Sequence, residues 1–203
     1  MKKRCWKTDN PLYIAYHDDE WGVPVHDDRT HFEFLVLEGA QAGLSWETVL
    51  NKRVAYRAAF DGFDFEKVSR YGEEKVGELL SNPGIIRNRR KVASAVNNAA
   101  RLIEVREEFG TFDSYVWKFV GNATIIHSIR SMAQMPAYTP EAEAMSASMK
   151  RRGFSFVGPT ICYSYMQATG MVLDHLKDCF RYGEILERLK EKKASIIYKD
   201  VNV

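Results

Sequence analysis

"MKRRGFSFVGPTICYSY", residues 149–165, is the stretch on which the fold turns. It has the layout of a helix, a short hairpin and a second helix. Gly153 and Gly158 flank the hairpin, where backbone must approach closely or turn through positive φ. Pro159 and Thr160 open the second helix and leave backbone N–H groups free at the positive end of its dipole, which suits a phosphate. Lys150, Arg151 and Arg152 just before it add local positive potential. The same pattern also describes an ordinary pair of helices joined by a solvated basic turn.

Around this stretch the chain reads as helical nearly throughout, an all-α fold with no convincing succession of alternating strands. "HFEFLVLEGA", residues 31–40, is apolar on almost every face and therefore buried, with Glu38 as the exception within it. Ser45 caps a helix beginning "WETVLNKRVAYRAAF", Asp64 caps "FEKVSRY", and Asn82 to Gly84 separate "VGELL" from the long "IIRNRRKVASAVNNAARLIEVREEF". From Gly121 to Pro140 the pattern weakens, until Thr139 and Pro140 restart a helix as cap and first-turn proline. Residues 1–183 are expected to form one domain of two packed helical lobes, with the hairpin at about 149–165. Residues 184–203, "EILERLKEKK" and beyond, form a C-terminal extension with no expected chemistry.

With 203 residues and a formal charge of +2, the chain can bury a core but exerts no global attraction on polyanions. A nucleic-acid partner must be held by a local patch. Three cysteines, no apolar N-terminal segment of signal type and no run of about 18 apolar residues point to a reduced, cytoplasmic setting without membrane insertion. Disulfides are then a poor explanation for Cys5 and Cys179.

Two groups of residues can carry chemistry. "MVLDHLKDC", residues 171–179, spaces His175 and Cys179 as a helical ligand pair, and Cys5 with His17 would complete a tetrahedral, closed set of two thiolates and two imidazoles. Such a site would tie the chain ends together, although the same residues can equally be separately buried. His26, His31, His127 and Cys162 have no comparable partner. The second group is Glu38 with Tyr13, Tyr16, Trp21, Trp46 and Trp6. A carboxylate on an apolar helix is expensive unless paired, so it is either functional or joined to Arg53, Arg57, Arg87 or Arg89. The rings are either a stacking pocket or core.

Taken together, "PLYIAYHDDEWGVP", "LEGAQAGLSWETVL", "GIIRNRRK", "RGFSFVGPTICYSYMQATG" and "DHLKDC" closely resemble the bacterial DNA-3-methyladenine glycosylase I family, a zinc-bearing branch of the helix-hairpin-helix DNA glycosylases. The resemblance runs from about Cys5 to Cys179. It implies removal of 3-methyladenine from alkylated double-stranded DNA by hydrolysis of the N-glycosidic bond, leaving an abasic site and the free base. It also implies one structural zinc ion at Cys5, His17, His175 and Cys179, in a chain acting as a monomer. By the same resemblance the turn "QAGLS" wedges into the base stack through Gln41, Gly43 and Leu44, while Gly158, Pro159 and Thr160 clamp the backbone. Tyr16 and Trp46 would stack on the flipped base with Tyr13 lining the site, and Glu38 would contact it. Asp174 directly precedes a proposed ligand and is not assigned catalysis; no nucleophilic lysine occupies the corresponding position, so a monofunctional enzyme is expected. The competing readings are a non-catalytic, zinc-stabilised module that binds damaged DNA, and a zinc hydrolase using metal-bound water.

Overall fold

In the computed structural model, which describes residues 2–201, side-chain caps set the helix starts. Asn10 caps α1 (Pro11–Ala15), Asp27 caps α2 (Asp28–Gln41), Ser45 caps α3 (Trp46–Leu50), and α4 follows at Arg53–Ala59. Asp64 caps α5 (Phe65–Val68), α6 spans Glu73–Ser81, Asn88 caps α7 (Arg89–Phe109) and Thr111 caps α8 (Phe112–Trp117). Each cap oxygen accepts a bond from an otherwise orphaned first-turn N–H. The expected helix from Trp46 to Phe60 is two helices, broken at Asn51 and Lys52. The break lets Trp46 face Tyr16 while Arg53 reaches Glu20 and Glu33.

The second half alternates short strands with helices: β1 (Thr124–His127), α9 (Pro140–Arg151), α10 (Pro159–Ala168), β2 (Val172–Leu173), α11 (Phe180–Glu191) and β3 (Ile196–Lys199). The fold is therefore predominantly helical but not all-α. A parallel sheet in the order β2-β1-β3 sets Ile125 opposite Val172 and Ile197, and Ile126 opposite Leu173 and Tyr198. Every residue of β1 is buried, the pattern of a central parallel strand covered on both faces, so no alternation marks it in the sequence.

The same sheet overturns the helical reading of His175 and Cys179. Val172 and Leu173 hydrogen-bond along β1, and the chain then leaves the sheet through a turn, with Cys179 as the residue before α11. The ligand pair is presented by a strand exit and a turn.

α2 is the central element, buried without interruption from His31 to Ala40 and packed against α3, α7, α8 and α10. Its polar residues are mostly paired. The His31 imidazole donates to Asp113 (2.9 Å) and accepts from the Tyr165 hydroxyl (2.5 Å), partners that the sequence did not disclose. Between α9 and α10 the connection is a turn without strands. Gly153 takes φ +82°, whereas Gly158 has ordinary φ −63°. Asn98 on α7 pins this turn, accepting from Ser155 N–H (2.8 Å) and donating to Ser155 C=O (2.9 Å).

α11 and β3 are part of this architecture. Ile185 and Leu189 pack with Ile126 and Leu173 in an apolar cluster beneath the sheet. Leu189→Ala removes buried side-chain volume from a cluster with few members, and we expect a loss of about 2–5 kcal/mol, read from the urea unfolding midpoint. A loss below about 0.5 kcal/mol would mean that α11 contributes nothing to the core.

Candidate active site and metal centre

Cys5, His17, His175 and Cys179 converge, all buried, with their ligand atoms within 4.8 Å of one another. His175 Nδ1 lies 3.4 Å from Cys5 Sγ and 3.5 Å from Cys179 Sγ, and His17 Nε2 lies 3.5 Å from Cys179 Sγ. A tetrahedral ion at about 2.1 Å from nitrogen and about 2.3 Å from sulfur requires nitrogen–sulfur edges of about 3.6 Å. The donor set fits a metal. The thiols already divide their acidity: hydrogen bonding to Cys179 and burial push Cys5 up, and that same bond from Cys5 pushes Cys179 down.

Surrounding groups fix the ligand orientations. His17 Nδ1 is 2.8 Å from Asp18 Oδ1, and Arg4 grips the same carboxylate from Nε (2.8 Å) and Nη2 (2.7 Å). The Arg4 hydrogen bond, with help from His17, holds Asp18 down at about 2. His175 Nε2 donates to the Trp21 carbonyl (2.8 Å), which leaves Nδ1 facing the cluster. Gly22, at φ +79°, allows this approach, because a Cβ there would sit 3.1 Å from the His175 ring.

A π-helical turn at Tyr16–Glu20 closes with Trp21 N–H bonded to Tyr16 C=O (2.9 Å). It sends consecutive side chains to different tasks: His17 to the cluster, Tyr16 to the rings. Trp6 packs edge-on against His17 (4.7 Å) and Trp21 (5.0 Å) and meets Tyr13 at 5.1 Å. Tyr13 lies 6.5 Å from Tyr16, which meets Trp46 at 5.1 Å. One unbroken ring path thus joins the cluster to the neighbourhood of Glu38, whose charge is felt at both Tyr13 and Tyr16. The indole N–H groups of Trp6 and Trp46 are buried with no acceptor among the described residues.

Glu38 is 3% exposed and no hydrogen-bond partner reaches it among the described residues; burial alone pushes its carboxyl up to about 8. Among the described residues none of Arg53, Arg57, Arg87 and Arg89 pairs with it, and the first two are held by other acids. Arg53 binds Glu33 (2.7 Å) and Glu20 (2.7 Å), and Arg57 binds Glu33 (2.8 Å). Glu38 instead opens on a cavity of about 160 Å³. Gln41, Ala42, Gly43 and Leu44 form one wall, and Thr160, Ile161 and Ser164 of α10 form the other. Tyr13, Tyr16, Trp21, Trp46 and Trp6 do not line this cavity; they form a cluster beside it.

The two walls differ in character. Gly43 takes φ +76° in an exposed turn that presents Leu44 at 41% exposure. Lys91 on α7 donates from Nζ to the carbonyls of Ala40 and Ala42 (2.7 Å each) and so anchors that turn. Opposite, no side chain caps α10, and among the described residues the Thr160 and Ile161 N–H groups have no acceptor. Lys150 and Arg151 are exposed at the end of α9, while Arg152 is bound bidentately by Glu108 (2.6 and 2.8 Å). Ser164 and Lys91 were not foreseen. Ser164 was legible as the residue one helical turn after Thr160, but Lys91 carries no local signal. Asp174 is buried and bound by His127 (2.6 Å), Tyr163 (2.5 Å) and Gln167 (2.8 Å), away from the Glu38 cavity.

The site therefore combines a buried acid, an exposed apolar turn and a bare helix end. A family model for methyladenine glycosylases matches residues 6–182, and the chain belongs to that family. The DNA-3-methyladenine glycosylase 1 of Escherichia coli (strain K12) is 46% identical over 181 residues, 89% of this chain and 97% of that protein. A crystal structure of 3-methyladenine DNA glycosylase I superposes with TM-score 0.84 at 49% identity, covering 88% of this chain and 98% of that one. A tyrosine-to-phenylalanine variant of such an enzyme, solved in complex with 3-methyladenine, gives TM-score 0.85 at 32% identity over 89% and 97%.

The weakened acidity of Glu38 has a stability signature. The carboxyl's ordinary value is 4.5 and its folded value about 8, so between the two the folded chain keeps a proton that the unfolded chain has released. Stability therefore falls as pH rises through that window, by at most about 1.4 kcal/mol per unit. Glu38→Gln should stabilise the protein by a few kcal/mol at about pH 8 and by much less at about pH 5, read by urea unfolding. An equal effect at both values would contradict an unpaired, buried acid.

Proposed function

We propose that this chain works in base excision repair as a monofunctional DNA glycosylase, hydrolysing the N-glycosidic bond of 3-methyladenine in alkylated double-stranded DNA. It releases the free base and leaves an abasic site. The observation that carries this reading is Glu38: a buried carboxyl with no cation of its own, at the mouth formed by an exposed turn and an uncapped helix.

A base inside a duplex is out of reach, so the damaged nucleotide must be rotated out at a cost of a few kcal/mol. We assign Leu44, Gly43 and Gln41 to filling the gap, on a turn that Lys91 anchors. The free N–H groups of α10, behind Gly158 and Pro159, suit a backbone phosphate, with Lys150 and Arg151 nearby. In this reading α9, its turn and α10 are a helix-hairpin-helix.

Methylation at N3 makes the base cationic, which weakens its bond to the sugar and favours stacking on electron-rich rings. Tyr16 and Trp46 are the assigned stacking pair, with Tyr13, Trp6 and Trp21 behind them. Glu38 ionises beside the cation and accepts from the adenine edge; neutral adenine brings no positive charge to draw off the Glu38 proton and so gains no charge-assisted pairing. On cleavage the bond's electron pair leaves with the base, which departs neutral, and water adds to the sugar carbon and loses its proton to solvent. Glu38, held against the departing base, is the residue we assign to catalysis. No lysine lines the cavity, so no Schiff-base intermediate forms and the strand is not cut.

For the four-residue cluster we assign one structural zinc ion per chain: two thiolates and two imidazoles close the coordination shell, which excludes a metal-bound water as the nucleophile. Cys5→Ala should lose the zinc, read by metal analysis, with a drop in unfolding temperature. Asp18→Ala, which frees the far side of His17, should surrender zinc to a chelator with about 10- to 100-fold weaker retention. Unchanged retention would remove Asp18 from the site.

The decisive assay is release of 3-methyladenine from methylated duplex DNA. Glu38→Gln should lower it by about 100-fold while leaving affinity for undamaged duplex unchanged. Because loading a cation displaces the Glu38 proton, affinity for methylated duplex should rise with pH up to about 8 in the wild type and stay flat in Glu38→Gln. Binding without release would instead favour a damage-binding module.

A further inference from the structure

A second, larger cavity lies outside this machinery. It is a cleft of about 330 Å³ between α11 and the body of the protein, and it shares no lining residue with the Glu38 cavity. That volume falls within the range of small-molecule sites, roughly 300–1,000 Å³. Arg181, Glu184, Ile185, Arg188 and Leu189 of α11, with Lys192 just after it, line one side. Val23, Pro24 and Trp117 form the opposite wall.

The charges in the cleft do not balance internally. Arg181 is paired with Glu184 (2.7 Å), yet its Nε is buried with no acceptor among the described residues. His26 is occupied by Asp113 (3.1 Å) and lies over Trp117 (4.6 Å). Arg188 and Lys192, one helical turn apart, have no carboxylate partner among the described residues, so they repel each other across the cleft's edge. The match to the family model ends at residue 182, so both cations lie outside the matched region.

We propose that this cleft binds a small organic anion: a compact apolar body carrying one phosphate, sulfonate or carboxylate group. The body rests on Val23, Pro24, Ile185 and Leu189. The head group sits between Arg188 and Lys192, where charge-assisted hydrogen bonds replace their mutual repulsion. A polyanionic backbone fits less well, because the apolar walls would be left uncovered.

The probe is 8-anilinonaphthalene-1-sulfonate, titrated by fluorescence into the full chain beside its neutral analogue N-phenyl-1-naphthylamine. We expect one saturable dye site per chain and a preference for the sulfonate of about tenfold or more. Arg188→Met with Lys192→Met should abolish that preference, and Ala194→Trp, which fills an exposed end of the cleft, should abolish binding of both dyes. Unchanged circular dichroism and unfolding midpoint in both variants separate loss of the site from loss of the fold. The inference fails if no saturable site appears, if charged and neutral dyes bind alike, or if the variants change nothing. Displacement of the dye by undamaged duplex DNA would assign the two cations to a phosphate backbone and also overturn it.

Discussion

The meeting of residues 5 and 17 with residues 175 and 179 is the constraint on which the rest of the site depends. Between these pairs lie most of the helices, so the cluster closes a loop that includes nearly the whole chain. Its local consequence is more specific. Trp6 is carried on an arm with no helix of its own, and it is held by packing on His17, Trp21 and Tyr13. Fix His17 and Trp21, and Trp6 and Tyr13 are placed; fix Tyr16 through the same π turn, and Trp46 is met on its far side. The ring cluster beside the Glu38 cavity is thus positioned by the four-residue cluster and by the Asp18 and Arg4 pair behind His17.

Against this background, Glu38 is the buried carboxylate of α2 that no cation meets among the described residues. α2 buries three ionisable residues, and the two others are fully engaged: His31 with Asp113 and Tyr165, Glu33 with Arg53 and Arg57. The pairing at Glu33 matters as much as the absence at Glu38. It draws both nearby arginines to the opposite side of the helix and keeps them from neutralising the acid that faces the cavity. A lone buried carboxyl lowers stability above its ordinary acid range, so the site is held against the folding free energy of the surrounding core.

Much of this was legible in the sequence, and the failures have physical causes. Caps at Ser45, Asp64 and Thr139 act within a few residues, so they could be read directly. The sheet could not. β1 is four residues long and buried on both faces, so "TIIH" shows neither alternation nor length, and β2 has two residues. That omission propagated to His175 and Cys179, whose four-residue spacing suggested a helix although a strand exit delivers them. The partners of His31 and His127 were invisible for another reason: Asp113 lies 82 positions from His31 and Asp174 lies 47 from His127. Lys91 was missed likewise, since its task at the turn after α2 is set by the packing of α7 on α2.

The charge distribution bears on how the proposed DNA contacts would be made. Net charge is +2, and several cations near the hairpin serve the fold: Arg152 is gripped by Glu108 and lies over Phe109 and Tyr115, and Lys91 is spent on carbonyls. In the proposed reading Lys150, Arg151 and the neutral N–H groups of α10 are left for a duplex. Contacts of that kind set register on a backbone while releasing few counterions, so they add little affinity that is indifferent to sequence or damage. If few contacts are indifferent to damage, discrimination falls to the pocket, and Glu38 and the indole N–H groups of Trp6 and Trp46 are polar groups on that side without a partner among the described residues.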